Sequence, residues 1–389
     1  MSMPRASIPA RCRKSPRKPR DVLLRQPNSK RRFCAASFIG RGMGERSATF
    51  DLMRLAASLL VLWSHQFVLT GLVQPEIPWI GSYGTFAVLV FFAISGYLNA
   101  QSLFRSRSVC TFLISRVFRI FPALIVCVVF CIAMGACVTT QQIHHYFAPE
   151  NTRLLETGTP LSFFIRNSTL LWNVEYKLPG VFKTNSYPDA VNGSLWTLPH
   201  EVKLYLLLAA AGFCCHFKPW LGGGVAVAAI AGLALFGMLH PLGPLLRDQW
   251  LATFAVIFGV GAGLAWIEAC CGLKVAVVVF SILFAAFGLF GNPTTAAFVA
   301  IAVGCVLLNQ VRTPAWLAPR LDISYGIYLY AFPIQQLTSN ASGGFWVRFG
   351  LAVTLTVFLA IFSAKFVERP LLAWRKTFQS ERAPSIVGP

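Results

Sequence analysis

Residues 50–72 read FDLMRLAASLLVLWSHQFVLTGL, an apolar run long enough to cross a bilayer. A spanning helix needs about 20 mainly apolar residues, and this run carries two ionisable side chains in its body, Arg54 and His65. Each ionisable group inside a membrane helix costs roughly 2.5–3.5 kcal/mol on insertion scales, so such groups usually line a protein interior or a substrate pathway. The run therefore predicts a transmembrane helix, and Arg54 and His65 are candidates for a functional site.

The whole chain has the composition of an integral membrane protein. Of its 389 residues, 56% are hydrophobic and only 12% are charged, whereas soluble domains average about 25% charged residues. The 11 cysteines include no Cys-x-x-Cys pair, so we predict buried free thiols rather than a metal site or disulfides. We predict an all-α fold, a polytopic membrane helix bundle of about ten transmembrane helices. The predicted spans are residues 50–70, 84–104, 118–138, 195–214, 219–239, 249–267, 272–290, 294–310, 321–339 and 346–366.

The net charge of +20 is concentrated at the N-terminus, where residues 1–42 hold twelve basic residues and one acidic residue. We predict that residues 1–47 form a basic, disordered extension, because they are Pro-rich and lack apolar periodicity. Attraction to anionic lipid accounts for this charge as well as nucleic-acid binding does, and we predict no nucleic-acid partner. Two other interpretations remain open for the extension: a transit peptide, or a physiological start at Met43.

The distribution of lysine and arginine orients the bundle, because short loops rich in these residues stay in the cytoplasm. Positive loops alternate along the chain so that both termini are predicted to be cytoplasmic, including a tail at residues 373–389. The long connection at residues 139–193 has balanced charge and is predicted to be extracytoplasmic. Residues 48–372 are then a single transmembrane domain.

His65 has a predicted partner in Glu201, which lies near the start of the fourth span and at nearly the same depth. A carboxylate beside an imidazole fixes the tautomer and stabilises the charged ring, which gives a general base and its orienting group. Tyr205 follows Glu201 by one helical turn and can hydrogen-bond to it. The alternatives are an imidazole held by a neighbouring helix and a carboxylate paired with Lys203.

Arg54 and His65 share a face of the first helix but cannot touch, because eleven residues rise roughly 16 Å. On the cytoplasmic side with Arg54, Arg116 and Arg119 lie three residues apart and share a helix face. Their guanidinium groups suit a phosphate or pyrophosphate, although arginines in that place also follow from the positive-inside rule. The sequence therefore predicts a phosphate-bearing donor at the arginine end and an acceptor at the His65 end.

Six short motifs follow one another along the chain. They are Phe50-Asp-x-x-Arg54 with His65 after it, Phe91-Phe-x-x-Ser95-Gly96-Tyr97, Arg116-x-x-Arg119-x-x-Pro122, Ser194-Leu-Trp196-x-Leu-x-x-Glu201-x-x-x-Tyr205, Ser324-Tyr325-Gly-Ile-Tyr328-Leu and Glu368-Arg369-Pro370. Their joint order resembles that of the membrane acyltransferase-3 family, which includes O-acetylases of bacterial polysaccharides, O-antigens and nodulation factors. The resemblance covers the chain from about residue 48 to residue 372. Each motif is weak by itself, whereas the order is specific.

The resemblance implies that an acyl group, usually acetyl from acetyl-CoA, is transferred to a hydroxyl of an extracytoplasmic carbohydrate such as exopolysaccharide or lipopolysaccharide. The implied site residues are His65 and Glu201 for catalysis; Arg54, Arg116 and Arg119 for the CoA donor; and, more weakly, Trp196 and Tyr205 for the acceptor. Acyl-CoA is a co-substrate, and no bound cofactor is expected. Ser95-Gly96-Tyr97 is expected to allow close packing of helices.

The chain departs from the family in two places. Many relatives carry a histidine after Tyr-Leu in the ninth span, where this chain reads Tyr328-Leu-Tyr330-Ala-Phe-Pro333. The usual acidic or amide residue after Glu201 is Val202. A second catalytic histidine is therefore not predicted. The aromatic residues that could stack on a sugar acceptor are Trp172, Tyr176, Tyr187 and Trp196.

The predicted mechanism has His65 as general base in a bacterial inner-membrane protein, with direct transfer and an acyl-histidine intermediate both open. No Gly-x-Ser-x-Gly elbow is present in the sequence to favour a serine acyl-enzyme. Two other classes compete with this hypothesis. A secondary transporter or flippase would use the same Arg, His and Glu groups for coupling, and a scaffold would use them only to hold helices together. The sequence predicts no oligomeric state.

Overall fold

The computed structural model describes residues 47–106, 108–148, 156–171, 173–214, 248–290, 293–311 and 313–381. Within these ranges helices joined by loops make up the fold, and the strands are two paired segments of two residues each, so the predicted all-α class is confirmed. The elements are α1 (Ala48–Leu69), β1 (Glu76–Ile77), β2 (Gly81–Ser82), α2 (Tyr83–Ser106), α3 (Val109–Val138), α4 (Ile143–Phe147), α5 (Pro160–Thr169), a 3-10 turn (Gly193–Thr197), α6 (Leu198–Cys214), α7 (Gln249–Cys271), α8 (Leu273–Leu289), α9 (Pro293–Leu308), α10 (Ser324–Thr338), α11 (Phe345–Ser363), a π turn (Ala364–Glu368) and α12 (Arg369–Glu381). The predicted extension up to residue 46, the predicted span 219–239 and residues 382–389 of the predicted tail lie outside the described residues.

Five helices in the described part of the chain are long and apolar enough to span a membrane. They are α1, α2, α3, α7 and the continuous helix Phe345–Arg375, which combines α11, the π turn and the first half of α12. The apolar helices α8 and α9 are shorter, and α6 and α10 have 17 and 15 residues. The chain is therefore an integral membrane helix bundle, whereas the count of ten spans stays a prediction.

The helix α2 lies in the middle of the bundle and packs closely against α7. A Cβ at Gly96 would lie 2.1 Å from the backbone oxygen of Phe258, and a Cβ at Gly261 would lie 2.3 Å from that of Ala93. Both distances are far below van der Waals contact, so the two backbones can approach only because each helix has a glycine at the crossing. The predicted role of Gly96 in close packing is confirmed.

The connection that precedes α6 enters the bundle instead of staying at its surface. Its residues 185–197, the inserted segment, follow α10 backwards from the C-terminal end of that helix. Asn185 donates to the backbone oxygen of Gln336 at 3.0 Å, Asn192 donates to that of Leu329 at 2.9 Å, and Thr197 bonds the hydroxyl of Tyr328. As a result α6 begins beside the first half of α10.

Pro333 explains why the inserted segment binds at this point of α10. A proline inside a helix has no N–H, so the carbonyl four residues earlier loses its usual donor. That carbonyl belongs to Leu329, and the fully buried amide of Asn192 and the thiol of Cys127 donate to it instead. The segment therefore satisfies a backbone group that the sequence of α10 leaves open.

Candidate active site

His65 of α1 packs edge to face against Phe332 of α10, with ring centroids 5.3 Å apart. Phe332 also covers Gly193 of the inserted segment, where a Cβ would lie 2.5 Å from the phenyl ring. Nδ1 of His65 is buried and has no hydrogen-bond partner in the described part of the chain. Because burying a polar atom without a partner costs about 1–3 kcal/mol, this nitrogen marks a position that a substrate or a moving side chain can complete.

Glu201 lies in the first turn of α6 and belongs to a different polar group. Its Oε1 accepts hydrogen bonds from the hydroxyl of Ser95, at 3.2 Å, and from that of Tyr205. The Ser95 hydroxyl also bonds Tyr205, at 3.0 Å, and accepts from the amide of Asn99 at 2.9 Å. The predicted bond between Tyr205 and Glu201 is confirmed. Sequence reasoning missed the polar role of Ser95, which its spacing of four residues from Asn99 on one helix face could have indicated.

The predicted pair of His65 and Glu201 is not formed in this structure. The sequence predicts equal depths for His65 and Glu201 if the fourth span begins at the membrane boundary. In the structure, the inserted segment first reaches Tyr328 of α10, and α6 starts only after that contact. The neighbours of the two helices also differ: α1 packs against α2, α10 and α11, whereas α6 packs against α2, α3 and α7. Depth alone does not fix a position in a bundle, and the described bonds of Glu201 go to Ser95 and Tyr205 instead of His65.

The three arginines lie together near the N-terminal end of α1, as predicted, and Glu201 lies with them. We call this region the arginine level and the region around His65 the His65 level. Arg116 of α3 interacts electrostatically with Arg54, Arg119 and Glu201. Its guanidinium lies 5.9 Å from the ring centre of Tyr205, within the range of a cation–π contact. Neither Arg54 nor Arg116 forms an ion pair with a carboxylate among the residues that the structure describes. These two arginines are thus available to an anionic ligand.

Arg119 differs from the other two arginines because two buried carboxylates already bind it. Its guanidinium lies 2.7 Å from Asp322 and 3.5 Å from Glu368. Glu368 reaches this position from the π turn at the end of α11, and Asp322 lies just before α10. The sequence predicts Arg119 as a donor ligand. In the structure its charge is balanced by Asp322 and Glu368, so Arg119 links α3 to the start of α10 and to the end of α11. The Glu368-Arg369-Pro370 motif singled out Glu368 in the sequence, but it did not indicate that Arg119 is its partner.

The two residues predicted for the acceptor lie in packed surroundings. Tyr205 is 5% exposed, and its hydroxyl is used by Glu201 and Ser95. Trp196 packs against His200, Trp250 and Phe254. His200 accompanies that cluster, with Nε2 at 2.7 Å from Asp248 and Nδ1 at 2.9 Å from the Trp196 carbonyl. The geometry therefore favours packing roles for Trp196 and Tyr205.

A different aromatic residue connects His65 with an exposed surface. Tyr187 of the inserted segment is 42% exposed, and its ring contacts Phe332 with centroids 6.2 Å apart. Burial and, to a smaller extent, the electrostatic interaction with Tyr187 raise the pKa of Tyr176. The Tyr176 phenol therefore remains a hydrogen-bond donor at neutral pH. Sequence reasoning named both tyrosines as candidate sugar-stacking faces; Trp172, named with them, lies outside the described residues.

A membrane helix bundle with two arginines outside any ion pair at one level, and a histidine whose Nδ1 has no partner in the described residues at another, has parts that suit a membrane-bound transferase. Residues 47–365 match the acyltransferase domain family, Acyl_transf_3. Because this match covers most of the chain, the protein belongs to that family and is an acyltransferase, as the resemblance predicted.

Two relatives are similar over nearly their whole length. The O-acetyl transferase of Shigella phage Sf6 is 29% identical over 337 residues, which cover 84% of this chain and 96% of that protein. Nodulation protein 10 of Rhizobium leguminosarum bv. viciae is 28% identical over 360 residues, which cover 86% of this chain and 95% of that protein. No solved structure shows a significant match.

Proposed function

We propose that the protein is an O-acyltransferase that moves an acyl group, acetyl in the first instance, from acyl-CoA to a hydroxyl of an extracytoplasmic carbohydrate such as exopolysaccharide or lipopolysaccharide. The family supports acyl transfer, and the name of the phage relative supports an O-acetyl product. The observation that carries the proposal is the separation of two kinds of polar group along α1. Arg54 lies with Arg116 at one level, and His65 presents an unpartnered ring roughly 16 Å further along the helix.

The donor is assigned to the arginine level. CoA carries several phosphate groups, and a guanidinium binds phosphate through two parallel hydrogen bonds. Arg54 and Arg116 lack a carboxylate partner in the described ranges, so a phosphate can bind them without displacing an internal ion pair. The long pantetheine arm of CoA then extends its thioester along α1 toward His65.

The acceptor is assigned to the His65 level. The inserted segment places Tyr187 beside Phe332, so a sugar that stacks on Tyr187 brings its hydroxyl close to the imidazole. His65 takes the proton from this hydroxyl as the oxygen attacks the thioester carbonyl. A carbon–oxygen bond forms, the carbon–sulfur bond breaks, and the imidazolium returns the proton to the CoA thiolate. The apolar surroundings limit hydrolysis of the thioester by water.

This assignment sets a topology for the protein in the membrane. We place it in the bacterial inner membrane with both termini in the cytoplasm, so that cytoplasmic acyl-CoA reaches the arginines. Tyr187 and the start of the inserted segment then face the outside, where the glycan is.

The direct test combines a genetic and a biochemical measurement. Mass spectrometry of cell-surface glycans from strains with and without the gene should show an acetyl mass increment that depends on the gene. Purified protein with labelled acetyl-CoA and that glycan should release CoA and label the glycan in equal amounts. Proton-dependent glycan transport in proteoliposomes without consumption of acetyl-CoA would instead establish the transporter alternative.

A further inference from the structure

Gln335 of α10 is buried at the boundary with α1, one turn beyond the Phe332 ring that packs against His65. Its Nε2 donates to the backbone carbonyl of Leu62 at 2.8 Å and to Oε1 of Gln66 at 2.8 Å. A backbone carbonyl can only accept, so the amide atom that faces Leu62 has to be Nε2. The other end of the amide, Oε1, is buried and has no partner among the residues that the structure describes.

The same boundary holds a second buried polar atom without a described partner, Nδ1 of His65. The two residues that Gln335 binds are Leu62, one turn before His65, and Gln66, directly after it, so the Gln335 amide lies at the level of the imidazole. One of the two atoms is an acceptor, and the other is a donor when the ring carries its proton there. The Cβ–Cγ torsion of histidine is soft, so the ring can adopt more than one orientation about it.

We propose that Gln335 is the positioning residue of His65: its Oε1 accepts a hydrogen bond from Nδ1–H and fixes the tautomer in which Nε2 holds the free lone pair. This inference rests on the proposed function, in which His65 is the general base. Nε2 takes the proton from the acceptor hydroxyl and returns it to the CoA thiolate, while Nδ1–H stays bonded to Gln335. A neutral amide thus fills the place that the sequence assigned to the carboxylate of Glu201.

An amide in this place has a chemical consequence that a carboxylate would not have. A carboxylate favours the protonated imidazole, whereas an amide orients the ring without adding a negative charge. The ring therefore stays neutral, and able to accept a proton, to a lower pH than it would beside a carboxylate. The pH dependence of the reaction consequently distinguishes a positioning role of Gln335 from a merely structural one.

Gln336, the next residue, provides a matched control. It is as buried as Gln335, but its Nε2 donates to the backbone carbonyls of Tyr187 and Ala190 in the inserted segment. Both glutamines hold two parts of the fold together, and only Gln335 binds the residues of α1 that flank His65.

The test measures kcat/KM against pH for purified wild-type protein, Gln335→Glu, Gln335→Met and Gln336→Met, with acetyl-CoA as the donor. Gln335→Glu should remain active, with the acidic limb of the profile moved to higher pH by about one unit or more. Gln335→Met should lower kcat about tenfold or more per folded protein without changing the donor KM, because the base loses its preferred tautomer. Gln336→Met should leave the position of the acidic limb unchanged, whatever its effect on folded yield.

Nitrogen NMR of histidine-labelled protein gives a readout that does not depend on turnover. The ring signal that disappears in His65→Ala should show a protonated Nδ1 in the wild type and a mixture of tautomers in Gln335→Met. A wild-type pH profile in Gln335→Glu, or a wild-type tautomer in Gln335→Met, overturns the positioning role. If His65→Ala itself retains the wild-type rate, the proposed base is wrong and this inference fails with it; an inactive His65→Ala beside unaffected Gln335 variants overturns this inference alone.

Discussion

The two polar levels of the bundle differ in the bonds that their main candidate residues already make, although the group around Glu201 also contains a buried atom without a hydrogen-bond partner in the described residues, Oδ1 of Asn99. At the arginine level, Arg119 binds two buried carboxylates, and Glu201 binds Ser95 and Tyr205. At the His65 level, Nδ1 of the imidazole and Oε1 of Gln335 are both buried without a partner in the part of the chain that the structure describes. Buried polar groups are usually hydrogen-bonded, so the two atoms at the His65 level call for a partner such as a substrate, a water molecule or another side-chain conformation.

The arginines also differ among themselves. Arg119 has the surroundings of a structural ion pair, whereas Arg54 and Arg116 form no ion pair with a carboxylate in the described ranges, although Glu201 interacts with Arg116 at longer range. Like charges at short distance are unfavourable unless an anion lies between them. The arrangement of Arg54 and Arg116 is therefore suited to an anionic donor.

The largest effect should come from the His65 level. His65→Ala should lower kcat for acyl transfer by about 10²–10⁴-fold, the contribution typical of a general base, with no loss of folded protein. Steady-state assays on protein that elutes as a single species in detergent measure this. His200→Gln is the control, because both ring nitrogens of His200 are bonded to Asp248 and Trp196, and its turnover per folded molecule should stay within a few fold of wild type. Equal losses in both variants would mean that His65 acts through the fold.

The next largest effect should separate the two arginines of α3. Arg119→Gln removes the guanidinium that binds Asp322 and Glu368, and breaking a buried pair in this way costs about 3–5 kcal/mol of stability. Arg116→Gln should leave the thermal unfolding midpoint almost unchanged and raise the donor KM, since a hydrogen bond to a charged group contributes about 1.5–3 kcal/mol, or roughly 10- to 150-fold. Thermal unfolding in detergent and donor KM are measured on both variants. A stable Arg119→Gln protein with a raised donor KM would restore Arg119 as a donor ligand.

A smaller effect is expected at Glu201, and it tests which level this residue belongs to. Glu201→Gln replaces charge-assisted bonds to Ser95 and Tyr205 by neutral ones, which are about half as strong, so we expect a loss of about 1–3 kcal/mol in stability. The acidic limb of kcat/KM against pH should stay where it is. If Glu201 were the partner of His65, removing its charge would disfavour the protonated ring and move that limb to lower pH.

Local patterns in the sequence were sufficient for the helices and for part of the site. Apolar runs predicted α1, α2 and α7, Gly96 predicted a close crossing, and the spacing of Glu201 and Tyr205 predicted their bond. Each of these follows from residues within a few turns of one another. The grouping of Arg54 with Arg116 could also be predicted, because the positive-inside rule gives the depth of each helix end.

The position of Glu201 could not be predicted, because it depends on contacts between residues far apart in the chain. Asn185 and Asn192 bind α10 across more than 130 residues, and nothing in the local pattern of the connection shows that it enters the bundle. Pro333 leaves a carbonyl in need of a donor, but the sequence does not say which segment supplies one. For the same reason, the sequence did not show that Asp322 and Glu368 bind Arg119.

The smallest effect is expected at Tyr187, at the exposed edge of the His65 level. We expect the glycan to stack on this ring. Tyr187→Ala should raise the acceptor KM by roughly 2- to 12-fold, equivalent to about 0.5–1.5 kcal/mol for an aromatic contact, and leave the donor KM unchanged. Tyr187→Trp should retain acceptor binding, because it keeps a flat ring above Phe332. Trp79 is the control: it is 67% exposed in the turn between β1 and β2, so Trp79→Ala removes an exposed aromatic ring elsewhere and should not alter either KM. An acceptor KM that responds to Trp79 and not to Tyr187 would move the proposed glycan site from the inserted segment to the β1–β2 turn.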